Sequence, residues 1–429
     1  MLLNKHIIVG ICGGIASYKA VELVSQLQQA GALVDVITTE HAEDFVRSLT
    51  FSTMSHRPVY SDLWEPSGHA AETHIALAEE AEILAIVPAT ANTIAKLAYG
   101  IADNMLTTVA LATQAPLLVA PAMYRDMYTH PATQANLKLL QERGATIVEP
   151  EVGRLASGAI GPGRLPETSV LLGAISMVLG RKGDLAGRRV VVTAGGTQEP
   201  IDPVRYVGNR SSGKMGFALA TEARDRGAEV ILIAGPVTLE VPYGVALRSV
   251  ETALEMRDAV RSAISDADVL MMSAAVADFR PAAPATQKMK KEGMGTRGGG
   301  QEQTDEGGFS LHLVRNPDIL GELAEASEEH VGTGLHRPPD SASPQRRLIR
   351  VGFAAETNDI VSYAQSKLVT KHLDLLVEND VSRVDSGFGT DTNKVYIFHA
   401  TGAMEDLPVL PKTGVAAAIW DRIVPLLGR

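Results

Sequence analysis

Lys288, Lys290 and Lys291 form a basic loop in a chain whose formal net charge is -11, and Lys367 and Lys371 lie four residues apart on an amphipathic helical pattern over 359–372. Ammonium groups at that spacing project from one helix face. Each pair alone is usually a solvated surface. Together with Asp278, which closes the run VLMMSAAVADFR (269–280), they could hold a polyphosphate by point charges, while the small residues of that run allow a flat ligand to approach the backbone. In the first half, Gly13, Gly14 and Ile15 can turn backbone N–H groups toward a phosphate, and Thr38 ends a predicted strand where a ligand would cross a sheet edge. His74, in HAAETHIALAEEAE, is not part of HExxH and has no obvious metal partners. A lone histidine is more often structural, yet imidazole suits proton transfer near neutral pH.

These residues need elements to carry them, and the chain opens a nucleotide-type domain twice. A strand runs into paired glycines at HIIVGICGGIASYKA (6–20) and again at RVVVTAGGTQEP (189–200). Apolar runs at 83–87 and 117–120 suit parallel strands covered on both faces by helices, and Gly31, Gly144 and Gly227 each end a helical pattern before the next strand. The short polar stretch GRKGDLAG (180–187) marks a linker, dividing the chain into 1–182 and 183–429. Within the second part, 288–308 and 332–345 read as mobile loops, and 309–314 between them alternates as a strand. The expected class is α/β, with two Rossmann-like three-layer domains.

Composition narrows the function. With 429 residues and 45% hydrophobic content the chain can bury two cores, and its acidic balance argues against nucleic-acid or membrane-surface binding. Cys12 is the only cysteine, which removes intrachain disulfides and thiolate zinc sites and fits a cytoplasmic protein. The apolar stretch near the start is broken by glycines and continues as an amphipathic helix, so it reads as strand, turn and helix rather than a signal peptide. GNRSSGKM (208–215) nearly spells a P-loop, but Met215 stands where Ser or Thr would hold magnesium. A different anion-binding turn, or a plain helix start, remains open there. The first glycine turn lacks GxGxxG spacing and fits a nicotinamide dehydrogenase poorly.

Longer motifs are more specific. TAGGTQEPIDPVRYVGNRSSGKMG, AAVADFRP, NPDI (316–319) and GFAAET (352–357) resemble phosphopantothenate-cysteine ligases in order and approximate spacing, and PATANTIAKLAYGIADN (88–104) looks like the FMN-binding loop of flavin-dependent cysteine decarboxylases. The resemblance covers nearly the whole chain and implies a bifunctional route in coenzyme A synthesis. Its first half would be a flavodoxin-like FMN-binding decarboxylase of phosphopantothenoylcysteine, and its second a ligase joining 4'-phosphopantothenate to cysteine with CTP and Mg²⁺. On that resemblance Lys288 contacts the reacting phosphates, Lys367 and Lys371 the remaining triphosphate, and Asn209 the acyl-nucleotide. Met272, Ser273, Ala274 and Asp278 bind nucleoside, with Asn316, Pro317, Asp318, Ile319 and Phe353 lining its pocket. Flavin falls to Gly13, Gly14, Ile15, Thr38, Thr90, Ala91, Asn92, Thr93 and Ala122, and proton removal to His74. Magnesium ligands are not identified.

Two positions depart from the family pattern. Its PxMNxxM appears as PAMYRDM, so Tyr124 replaces the carboxylate-binding Asn. Its acidic Cys before Gly falls at Ser157. A phenol offers one donor where an amide offers two, and a serine hydroxyl is a far weaker acid than a thiol. Two readings follow: a complete bifunctional enzyme, or a ligase joined to a flavin domain that is inactive, altered in product, or regulatory. The resemblance further implies a homo-oligomer with trimeric flavin domains and dimeric ligase domains.

Overall fold

The structure, a computed structural model, describes residues 2–64, 73–289, 310–332, 347–356, 360–380, 386–387 and 389–428. Most of the two predicted loops, including Lys290 and Lys291, lies outside the described residues. The chain forms two compact units, Met1–Gly183 and Asp184–Arg429.

In the first unit, six strands form one sheet in the order Val59–Tyr60, Leu33–Thr38, His6–Ile11, Ile83–Ala89, Leu117–Pro121 and Thr146–Ile147, every pairing parallel. Numbered along the chain the order is 3-2-1-4-5-6, the Rossmann order, which differs from the flavodoxin-like 2-1-3-4-5 expected for this half by the two-residue edge strand Val59–Tyr60. The central strands are apolar on both faces because helices cover both sides: every residue of Ile83–Ala89 is buried. Strand order reverses between His6–Ile11 and Ile83–Ala89, and ligands of open α/β sheets bind at the carboxyl ends of such a pair.

The second unit repeats that logic in an eight-stranded sheet ordered Ala246–Ser249, Glu229–Ala234, Arg189–Ala194, Val269–Met272, Ile349–Glu356, Leu375–Asp380, Val395–His399 and Met404–Asp406. The last two strands pair antiparallel, an edge that the sequence pattern did not reveal. Strand order here reverses between Arg189–Ala194 and Val269–Met272. The final helix, Lys412–Leu427, is anchored by Trp420, which is fully buried and donates its indole N–H to the Leu219 carbonyl at 3.0 Å. Truncating such a side chain to alanine costs about 3–5 kcal/mol in comparable cores.

The expected strand over 309–314 is shorter and shifted. Leu313–Arg315 pairs antiparallel with Phe279–Pro281, and Phe309 lies outside the described residues. Its length is limited by its partner, a second strand that follows Asp278 and was hidden within a run read as one strand end.

Candidate functional site

In the first unit the predicted cofactor residues emerge at the carboxyl edge of the sheet. Gly13, Gly14 and Ile15 follow His6–Ile11, Thr38 ends Leu33–Thr38, Thr90 to Thr93 follow Ile83–Ala89, and Ala122 follows Leu117–Pro121. The edges are tied together. The Cys12 thiol donates to Thr93 Oγ1 at 3.2 Å, the Cys12 N–H donates to the Pro88 carbonyl at 3.2 Å, and the Ala122 N–H donates to the Ala89 carbonyl at 3.0 Å. Burial pushes the Cys12 thiol up, so it stays protonated and serves as a packing group. Thr90 caps the helix Ala91–Tyr99 by accepting the Thr93 N–H at 3.3 Å.

This edge fits a flavin mononucleotide. The helices Ser17–Gln29 and Ala91–Tyr99 both begin there, and helix N-termini favour phosphate. A side chain added at Gly14 would meet open space, and Thr38 Oγ1 is buried with no partner among the described residues. A buried hydroxyl left without a partner is costly, and a ligand crossing the strand end would relieve it.

His74 is the second residue of the helix Thr73–Glu80, which precedes Ile83–Ala89 by a two-residue connection. A helix feeding a parallel strand runs antiparallel to it, so the first turn of this helix lies toward the carboxyl edge. Tyr124 follows Pro121 at the same edge and is 40% exposed. Ser157 occupies the exposed turn of an antiparallel hairpin, Glu151–Arg154 with Ile160–Arg164, closed by the Gly158 N–H donating to the Leu155 carbonyl at 2.8 Å. The hairpin is docked against the Tyr124 loop, since the Met123 N–H donates to the Gly163 carbonyl at 3.0 Å. A side chain at Gly163, where φ is 133°, would come within 2.1 Å of the Met123 carbonyl oxygen. The two residues that depart from the family pattern therefore lie on neighbouring, mutually bonded segments.

In the second unit, Gly195 to Thr197 and Ser273 to Ala277 interlock at the strand-order reversal. The Ala275 N–H donates to the Gly195 carbonyl at 2.8 Å, the Ala277 N–H to Thr197 Oγ1 at 2.9 Å, and Asn209 Nδ2 to the Ala275 carbonyl at 3.0 Å. Asn209 is thus fixed beside the small residues meant for the nucleoside. A cavity of ≈ 130 Å³ opens here, lined among others by Ser273, Ala274, Phe353 and the turn Ser211 to Lys214. Gly213, at φ 78°, precedes the helix Lys214–Asp225 and no side chain caps that helix, so its first N–H groups are available to an anion. Within GNRSSGKM the open alternatives therefore resolve to a helix start that borders a cavity.

Asp278 and the NPDI residues form an adjoining cluster. The Asn316 N–H donates to the Asp278 carbonyl at 2.8 Å and Asn316 Nδ2 to the Ala277 carbonyl at 2.7 Å. Lys371 lies one residue past the helix Ile360–Thr370, its N–H donating to the Lys367 carbonyl at 3.1 Å, and its ammonium pairs with Asp318 at 3.1 Å. The side chains of Ile319 and Met272 are buried in one core cluster with Met256 and Leu323, which leaves their backbone groups to face a ligand. Lys288 is exposed.

Sequence reasoning did not single out Asn379, Asn393 and Lys412 of this cavity, and met Lys214 only as part of GNRSSGKM. Lys412 is 7% exposed and donates to the Gly387 and Thr390 carbonyls, and burial lowers its pKa. Lys214 pairs with Asp391 at 2.7 Å, and buried Asn393 keeps an Oδ1 without a partner among the described residues. Nothing in the spacing of Asn379, Asn393 and Lys412 signals a site, because they come from the strand Leu375–Asp380, the short strand Thr392–Asn393 and the start of the last helix, which only folding brings together.

With this geometry in view, residues 1–180 match the Flavoprotein family, and residues 185–336 and 338–426 match the DNA/pantothenate metabolism flavoprotein C-terminal domain. A coenzyme A biosynthesis bifunctional protein CoaBC of Bacillus subtilis is 44% identical over 429 residues, covering 99% of this chain and 98% of that protein. The chain belongs to the CoaBC family. The Escherichia coli (strain K12) member is 40% identical over 423 residues, covering 99% of this chain and 97% of that one. The crystal structure of a CoaBC C-terminal domain is 33% identical and covers 57% of this chain and 98% of that chain, with a TM-score of 0.43. Both glycine openings thus lie within matched family regions. No helix among the described residues is long and apolar enough to cross a membrane.

Proposed function

We propose that this protein serves coenzyme A biosynthesis by joining 4'-phosphopantothenate to cysteine and then decarboxylating the product to 4'-phosphopantetheine. The observation that carries this reading is the match along both halves to CoaBC proteins.

In the ligase half, the substrate carboxylate attacks the α-phosphorus of CTP, pyrophosphate leaves, and the cysteine amine then displaces CMP from the acyl carbon. Negative charge accumulates as the phosphorus becomes five-coordinate, so preplaced cations supply the main stabilisation. Lys288 meets the reacting phosphates, while Lys367 and Lys371 hold the rest of the triphosphate. Lys371 exchanges its Asp318 partner for phosphate oxygens, and Asn209 holds the acyl-nucleotide. Magnesium commonly arrives on substrate phosphates with few protein ligands, and no group of three acidic, His or Cys side chains converges among the described residues.

In the flavin half, Gly13 to Ile15 and Thr90 to Thr93 would hold FMN, with Thr38 bonding it from the strand end. Bound there, FMN would supply the two-electron oxidation that turns the thiol-bearing carbon into an electron sink, and later the return of hydride. This chain's residues handle protons and orientation. His74 removes a proton as the substrate is oxidised, Tyr124 donates its single O–H to the substrate carboxylate, and Ser157 relays the proton that replaces CO₂. The working assembly is a homo-oligomer.

The two altered groups make a directional prediction. Tyr124→Asn combined with Ser157→Cys restores a two-donor amide and a far stronger acid, so turnover of phosphopantothenoylcysteine to 4'-phosphopantetheine rises about tenfold while pyrophosphate release is unchanged. Stopped-flow flavin absorbance with product mass spectrometry checks this. A fall in rate would mean that this pocket is adapted to the phenol and hydroxyl, and would overturn the expectation that the family's amide and thiol improve it. The ligase reading is tested separately by pyrophosphate release that requires both CTP and 4'-phosphopantothenate, and fails if CTP is not consumed.

A further inference from the structure

Lys288 stands on an exposed, irregular segment, and an ammonium on a flexible stem delivers charge only as accurately as its backbone is held. The peptide beside it is held from far away in sequence. Asp202 lies in the turn between Gln198–Pro200 and Tyr206–Gly208 and is only 3% exposed. Its Oδ1 accepts the N–H groups of Val204 at 2.8 Å and Arg205 at 2.9 Å, which closes the turn. Its Oδ2 does something the turn does not need: it accepts the Met289 N–H at 3.1 Å, together with the Arg205 guanidinium, whose Nε is at 3.0 Å. Arg205 Nη2 then donates to the Met289 carbonyl at 3.2 Å. A further bond, from the Ala285 N–H to the Ile201 carbonyl at 2.8 Å, fastens the start of the same segment. One charge pair therefore grips both backbone groups of the residue that follows Lys288.

The Arg205 guanidinium, with these backbone donors, holds the Asp202 carboxyl well below the usual carboxylate range, so the grip is charged throughout the neutral range. A plain loop staple is the simpler explanation. Against it stands the division of labour between the two oxygens, since Oδ1 alone satisfies the turn and Oδ2 is directed to the segment that carries the reacting lysine.

We propose that Asp202, with Arg205 as its partner, is a positioning residue for the ligase reaction, clamping Met289 so that Lys288 meets the reacting phosphates. This rests on the role given to Lys288 above. The test is a double-mutant cycle on full-length protein, following pyrophosphate release with CTP, 4'-phosphopantothenate and Mg²⁺, in Asp202→Asn, Lys288→Ala and the double variant. Asp202→Asn is expected to lower kcat about tenfold with KM for CTP changed less than about threefold, and to cost less than about twofold once Lys288 is already alanine. Equal losses in both backgrounds would reduce Asp202 to a structural staple and overturn the proposal. Asp202→Ser provides a second route if the amide variant misfolds, because the hydroxyl can still close the turn but lacks the charge and reach to hold Met289. It should show the same Lys288-dependent loss. If Lys288→Ala alone turns over at the wild-type rate, the assignment of Lys288 fails instead, which is a separate result.

Discussion

Lys288→Ala is expected to cut pyrophosphate release by about 1,000-fold, the scale at which removing one preorganised electrostatic donor slows an acyl or phosphoryl transfer. The loss should fall on kcat more than on KM for CTP, because in the roles proposed for them Lys367 and Lys371 would still hold the remaining phosphates and only the charge developing at the α-phosphorus would lose its partner. Decarboxylation of phosphopantothenoylcysteine supplied from outside should continue unchanged, since the flavin residues belong to the other compact unit. Steady-state kinetics with each substrate varied separates these effects. A variant that lost only CTP affinity would make Lys288 a binding group, and a variant with normal turnover would remove it from the site.

The second large effect belongs to His74. Replacing it with asparagine keeps a polar side chain of similar reach but removes the titrating imidazole, so CO₂ release should fall roughly 100- to 10,000-fold. The protein should remain yellow, because the residues proposed to hold flavin lie at the strand ends and helix N-termini and not on this helix. Phosphopantothenoylcysteine should accumulate when all ligase substrates are present. Retained decarboxylation in His74→Asn would return this residue to the structural role that lone histidines usually have. Loss of bound flavin would show that His74 supports the pocket rather than the chemistry.

Sequence was a good guide wherever local chemistry determines structure. The runs 6–11, 33–38 and 83–87 are apolar enough to read as buried parallel strands, and glycines after helical patterns mark the returns, so these strands and their ends could be anticipated, whereas the order of the strands could not. The candidate residues at those points sit where strand ends must place them. Contacts between segments distant in sequence left no such trace. Cys12 bonding to Thr93, the docking of the Ser157 hairpin on Met123, and Asp202 gripping Met289 each join segments by one or two hydrogen bonds, and no periodicity encodes them. Lys412 shows the same limit. In sequence it merely follows Pro411 at the start of the last helix, and only folding turns it into a buried cation beside the cavity. Short paired strands were also hard to read, as Phe279–Pro281 with Leu313–Arg315 illustrates, because three residues carry too little alternation to stand out.

The central claim is that one polypeptide completes both reactions despite Tyr124 and Ser157. The most direct measurement supplies the purified full-length protein with 4'-phosphopantothenate, CTP, Mg²⁺ and cysteine labelled with ¹³C in its carboxyl group, then follows labelled CO₂ and product mass together. Labelled CO₂ and unlabelled 4'-phosphopantetheine are expected in equal amounts, each matched by one pyrophosphate. Pyrophosphate release with labelled phosphopantothenoylcysteine accumulating and no labelled CO₂ would contradict that claim.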